Sequence, residues 1–550
     1  MNRLLYLFSF ILMVACQQEP TPVTTIQPWE AYDESNELAE NAEHESVRMQ
    51  FKLIQSRVLD KNEVWADIAD QIKYFSEEEY QALKPLILEQ NIPTIQNHIK
   101  AGELTYEKLT QWYLYRIVKY ENDSASYLNN ITAINPAAVR EAQEKDANRT
   151  GQEHPLYGMP VLLKDNVNFA GAPTTAGTHL LRDNIAEDAF IVDRIQAKGG
   201  IILGKTNLSE WANYLCLECP NGYSAVGGQT LNPYGRKAFD TGGSSSGSGS
   251  SMAANYAVAA VGTETSGSIL SPSSANSLVG LKPTTGFLSR RGIVPLSSTL
   301  DTPGPMTRNV IDNAILLSAM TGEDPNDSVT VGHSSDIDDW KDLASGSLEG
   351  IRVGVNTSFL DDSIYQKNVA KITSLGGIAI EFEPQDVDFE GFTELLNADM
   401  KIDLPAYLER YASEDISVRS VAEIVEYNQT DSLDKIPYGQ GRFARILETN
   451  LSEEELNQLR ADLRRRGVSF FEQAMDEHDL DFVLSINNWN AGHAAMANYP
   501  CITVPMGYRA DGKPVGITFI GRPFEEDRLL KVGYAYEQAT KVRKLPPDYQ

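Results

Sequence analysis

Cysteine and histidine are scarce in this chain. Its four cysteines in 550 residues, Cys16, Cys216, Cys219 and Cys501, are too few to staple a fold, so stability has to come from a buried core. Cys216 and Cys219 have CxxC spacing but lack the second ligand pair of a zinc site and the surroundings of a redox motif. A loop disulfide or two inert thiols remain. The seven histidines, His44, His98, His154, His179, His333, His478 and His493, fall into no pattern. Basic residues are also short: 47 Lys and Arg stand against 76 Asp and Glu, a formal net charge of −29. A surface of that sign repels phosphates, which argues against a nucleic-acid partner. There is no repeat at a fixed period and no long low-complexity tract.

The leading apolar run, residues 4–14, is broken only by Ser9 and falls short of the roughly 20 residues that cross a bilayer. It follows Arg3 and ends in Met13, Val14, Ala15 and Cys16, the length and flanks of a secretory signal. Small residues before a cysteine resemble a bacterial lipoprotein signal. That implies lipid on Cys16, export, and a periplasmic or outer-membrane-associated lipoprotein that touches the membrane through its N-terminal lipid alone. Residues 1–15 are then the signal. Residues 16–46 read as a flexible acidic tether, since 17–46 hold no Lys or Arg and include Pro20, Pro22 and Pro28. Residues 47–90 read as a helical extension, with Val58, Val64, Trp65, Ile68 and Ile72 at helical spacing.

Residues 91–550 form the main domain. Helices continue to Tyr120, with Thr105 as an N-cap before a Leu109, Trp112 and Tyr113 face. Short apolar runs at 160–163, 200–203, 257–261, 351–355, 378–382 and 482–486 then alternate with helical stretches, which predicts an α/β fold with a mainly parallel or mixed sheet. Residues 501–508 and 515–520 flank a turn at Ala510, Asp511 and Gly512 and predict a hairpin, followed by a helix over 525–541. The charge-rich stretch 334–479 is expected to be insertion-like and to shape a pocket.

Three segments carry candidate chemistry. Ten of the eleven residues 241–251 are Gly or Ser. A flexible linker would not sit inside an α/β core, and a phosphate loop would end in Lys followed by Ser or Thr. Residues 262–268 follow a predicted strand, where open α/β sheets place their sites, and consecutive N–H groups of Thr265, Ser266, Gly267 and Ser268 could form an anion nest for an oxyanion. Lys164 ends the run 160–163 and is followed by Asp165 and Asn166; a buried lysine loses charge and can act as a base near neutral pH.

Together these segments resemble the amidase signature family. The resemblance covers about 92–546 and extends through the stretches 204–213, 227–233, 279–283 and 301–305. It implies an amidase signature fold, a central mixed sheet of many strands covered by helices on both faces. It also implies cleavage of a carboxamide C–N bond through an acyl-enzyme, with no cofactor and no metal. Ser268 matches the family nucleophile, Ser244 the relay serine held by a cis peptide bond, and Lys164 the base; the two serines stand 24 positions apart, the family spacing. Asp165, Asn166, Ser245, Thr263 and Glu264 are expected to hold the triad through hydrogen bonds. Residues 209–213 and 262–265 look most like the peptide amidase branch, implying a small amide or a C-terminally amidated peptide as substrate. Ser266 stands where the family usually has Gly or Asp, and Leu270 where the amidotransferase branch has Arg. A rival pattern exists: residues 243–247 fit a nucleophile elbow centred on Ser245, which would need a late histidine such as His478 or His493.

Overall fold

The computed structural model describes residues 22–330, 332 and 339–550. In chain order its strands are β1 (Ile131–Ile134), β2 (Pro160–Lys164), β3 (Ile201–Thr206), β4 (Tyr223–Ser224), β5 (Gly228–Gln229), β6 (Ala259–Glu264), β7 (Val279–Lys282), β8 (Thr302–Thr307), β9 (Arg352–Asn356), β10 (Ile378–Phe382), β11 (Phe482–Ile486), β12 (Cys501–Tyr508) and β13 (Pro514–Ile520). Strands β4 and β5 pair only with each other; the other eleven form one sheet in the order β1-β3-β2-β6-β8-β7-β12-β13-β11-β9-β10. The runs β3-β2-β6 and β11-β9-β10 are parallel, and the strands between them are antiparallel.

Every residue of β2, β3, β6 and β11 is buried. Strands buried on both faces need cover on both sides and read as unbroken apolar runs, which is why these four were visible in the sequence. The predicted hairpin is β12 and β13, and the last helix is Glu526–Thr540. Thr105 caps the helix Tyr106–Glu121, its side chain accepting from the Lys108 N–H at 3.1 Å. Strand β8 was not predicted because Pro303 and Pro305 remove ladder donors. It is tolerated because β7 pairs only with Met306 and Thr307, leaving the proline end laddered on the β6 side.

The expected tether differs from the structure. Over its described part, residues 22–46, it packs against the body. Trp29 meets the Tyr127 ring edge-on at 5.3 Å between centroids, and Lys61 Nζ lies 4.2 Å from each ring centre. Asn41, on the short helix Ser35–Asn41, donates to the Lys237 carbonyl at 2.9 Å. Acids and prolines set the sequence reading, but Trp29 and Tyr32 supply enough apolar area to hold the segment down. Residues 1–21, with the expected signal and Cys16, lie outside the described residues.

Candidate active site

Two parallel strands and one glycine-rich turn build the site. Strand β2 delivers Lys164 as its last residue and β6 ends at Glu264, so Lys164 and the loop 265–268 meet at the C-terminal edge of the sheet. Between them the chain turns at Gly242 and enters the helix Ser246–Ala253. Gly242 has φ +73°, and a Cβ there would lie 2.6 Å from the Pro272 backbone, so only glycine lets this turn press against the helix Leu270–Ala275. The Gly243–Ser244 peptide bond is cis, and the Ser209 N–H donates to the Ser244 carbonyl at 3.0 Å.

Lys164 is fully buried. Its Nζ lies 2.7 Å from Ser244 Oγ and donates to Thr263 Oγ1 at 2.8 Å and to the Thr263 carbonyl at 3.2 Å. Burial pushes the ammonium down to about 7, against the opposing pull of the Asp301 and Glu264 carboxylates. Asn166 donates to the same Thr263 hydroxyl at 3.0 Å, so Thr263 Oγ1 receives two donors and fixes both side chains. The Ser245 N–H donates to the Ser268 carbonyl at 3.2 Å, which sets Ser268 beside the turn. Ser268 is 8% exposed and lines a cleft of about 360 Å³ with Gly243, Thr265 and Ser266.

The Ser245 hydroxyl is committed elsewhere: it donates to the Thr263 carbonyl at 3.1 Å and accepts from the Thr263 N–H at 3.2 Å. His493 is stacked on Phe470 at 3.8 Å, and among the described residues no histidine lines the cleft. Neither part of the elbow pattern is therefore assembled. Glu264 holds the loop, one carboxylate oxygen accepting from Gly267 N–H at 2.7 Å and the other from Ile269 and Leu270 N–H at 2.7 and 3.0 Å. This corrects the four-donor nest: the Gly267 N–H is taken by Glu264, which leaves Thr265, Ser266 and Ser268 as the remaining expected donors.

Asp165 sits one layer below. It accepts from the Thr175 N–H at 3.1 Å and pairs with Lys205 at 3.2 Å, both side chains fully buried. Sequence reasoning passed over Lys205, the next-to-last residue of β3, which pairs with Leu163 and so points to the opposite face of the sheet from Lys164. It also passed over Asp301, which accepts from the Thr265 hydroxyl and from the Leu296 and Ser297 N–H groups at 2.8 and 2.9 Å. Buried Glu210 accepts from the Ala225 N–H at 2.9 Å, and burial pushes its carboxyl up to about 8. It begins a turn in which Trp211, Ala212 and Asn213 all have positive φ, and Ala212 and Asn213 line the cleft. Cys216 and Cys219 form a disulfide in the loop that follows, and Cys501 is free and buried.

The amidase family model matches residues 108–530. The chain belongs to that family: it is an amidase signature enzyme, an amide hydrolase. Its particular relatives narrow the comparison. An Arabidopsis thaliana protein described as a probable amidase is 37% identical over 480 residues, covering 84% of this chain and 92% of its own. The crystal structure of an amidase family protein from Bacillus anthracis superposes with TM-score 0.85 at 38% identity, covering 90% of this chain and 99% of its own. That of native peptide amidase from Stenotrophomonas maltophilia gives 0.79 at 35% identity, covering 84% and 98%. The comparisons also overturn the expectation of an exported lipoprotein: the first relatives are plant and fungal amidases.

Proposed function

We propose that this amidase hydrolyses linear primary carboxamides, simple amides or C-terminally amidated peptides, through a Ser268, Ser244 and Lys164 relay and an acyl-enzyme. The observation that carries the reading is the buried Lys164 amine 2.7 Å from Ser244 Oγ. A neutral amine has two N–H donors and one lone pair. Thr263 takes both donors, so the lone pair is left for the Ser244 O–H.

Lys164 then draws the Ser244 proton as Ser244 draws that of Ser268, and Ser268 Oγ attacks the amide carbon. Backbone N–H groups of the loop stabilise the oxyanion. Ser244 returns a proton to the departing nitrogen, which would otherwise be too poor a leaving group. Water enters and the same chain of groups removes its proton to free the acid. The cleft of about 360 Å³ suits a small amide or the end of a peptide, and the similarity to a peptide amidase supports the second.

The test is ammonia release from amino-acid amides, aliphatic amides and peptide amides. Release that vanishes in Ser268→Ala and Lys164→Ala, with folding retained, is the expected result. Undiminished release from both variants would refute the relay.

A further inference from the structure

The cleft that holds Ser268 has an unbalanced charge. Arg48 and Arg442 line it, and among the described residues no Asp or Glu does. Among the described residues neither arginine forms an ion pair with a carboxylate. This occurs in a chain with a formal net charge of −29, in which carboxylates outnumber Lys and Arg overall. Both arginines come from outside the strands and turn that carry the relay. Arg48 sits in the one-turn helix Val47–Met49, upstream of the family match at 108–530. Arg442 sits in the helix Gly441–Glu448, within the stretch read as an insertion.

Each guanidinium is half-buried and held in place. The Arg442 guanidinium lies over the Tyr214 ring at 4.8 Å, which fixes its plane, and its Nε is buried with no hydrogen-bond partner. Arg48 Nη1 donates to Asn221 Oδ1 at 3.0 Å. The acid on the far side of Asn221, Asp240, is already occupied: it accepts from Asn221 Nδ2 at 2.9 and 3.1 Å and from the Gly242 N–H at 2.7 Å. The carboxylate of Glu264 is likewise filled by three loop N–H groups. Guanidinium groups placed in a cleft without an internal counter-charge are suited to a planar anion brought by the ligand.

We infer that the substrate carries a second, anionic group, a carboxylate, on the acyl side of the scissile amide, and that Arg442 with Arg48 receives it. This rests on the reading of the cleft as the substrate site of an amide hydrolase. The carboxylate can belong to a small dicarboxylic acid monoamide or to an acidic residue at the end of a peptide amide; the chemistry is the same.

The experiment compares two matched pairs: succinamic acid with its methyl ester, and peptide amides ending in Glu with those ending in Leu. In the intact enzyme kcat/KM for the acidic member should exceed that of the neutral one by about tenfold or more in at least one pair, and the responding pair names the source. Arg442→Gln should cut that ratio about tenfold, mainly through KM; Arg48→Gln should cut it less, because Asn221 already engages one of its nitrogens; Arg442→Lys should restore part of it. High salt should lower the ratio as well. Neutral amides turned over as well as acidic ones, or variants that slow both members alike, would overturn the anionic subsite while leaving amide hydrolysis standing. Ammonia from neither member of either pair would overturn both readings.

Discussion

A lysine serves as a base at neutral pH only when its surroundings remove its charge. Among the described residues Lys164 has no ion-pair partner; what touches its amine is a serine hydroxyl, a threonine hydroxyl and a carbonyl. Burial therefore wins over the two carboxylates behind it and holds the group near 7. The sign follows: the active form is the deprotonated one, so kcat/KM should rise with pH through about 7 and level off above it. A profile that falls over that interval would exclude Lys164 as the base. Glu210 shows the opposite displacement. With its carboxyl pushed up to about 8, it is protonated at pH 7 and resembles an amide in charge and shape. Glu210→Gln should keep activity within about threefold and Tm nearly unchanged, whereas Glu210→Ala should lower both, by a cost on the order of 2–3 kcal/mol from the cavity and the lost Ala225 bond. A Glu210→Gln variant as damaged as Glu210→Ala would show that the ionised form is needed.

At the scale of elements, the two strand-end lysines of β2 and β3 have divergent fates. Lys164 faces hydroxyls, while Lys205 faces Asp165 in a fully buried pair. Removing one partner of such a pair leaves a buried charge uncompensated, so Lys205→Met should cost about 3–5 kcal/mol in denaturant unfolding. Adding Asp165→Asn should recover part of that loss, and a double variant no more stable than the single one would contradict the pairing. Elements whose partners are close in sequence were readable in advance: the β12–β13 hairpin and the Thr105 cap follow from local pattern, whereas the segments of Lys164, Ser244 and Ser268 were singled out by their resemblance to a family. The tether was misread because its fixing contacts, Trp29 with Tyr127 and Asn41 with Lys237, are long-range. The Gly267 donor was misassigned for a related reason. Residue spacing exposes an N–H-rich loop but not the direction from which Glu264 bends back to fill it. Asp301 stood in a recognised stretch, yet its bond to Thr265 depends on β8 lying beside β6, a pairing that its prolines concealed.

Over the whole molecule, the sheet supplies the chemistry and the peripheral segments supply the walls. Lys164, Ser244 and Ser268 come from the parallel quarter of the sheet and its turns, while Arg48, Phe392 and Arg442 reach the same cleft from segments distant in sequence. The insertion packs onto the cleft loop through Trp211, Leu296, Leu395, Leu404 and Phe443, which share one buried cluster. The family was thus legible from contiguous motifs, whereas the cleft's charge became visible only when the two remote segments that carry Arg48 and Arg442 were brought together. The central claim is that Ser268, and not Ser245, is the nucleophile, and the most direct measurement is the site of covalent capture. Reaction of the intact enzyme with a fluorophosphonate, followed by peptide mass spectrometry, should place the label on Ser268, with labelling lost in Ser268→Ala and strongly slowed in Lys164→Ala. Label on Ser245, or labelling unchanged in Ser268→Ala, would contradict the account.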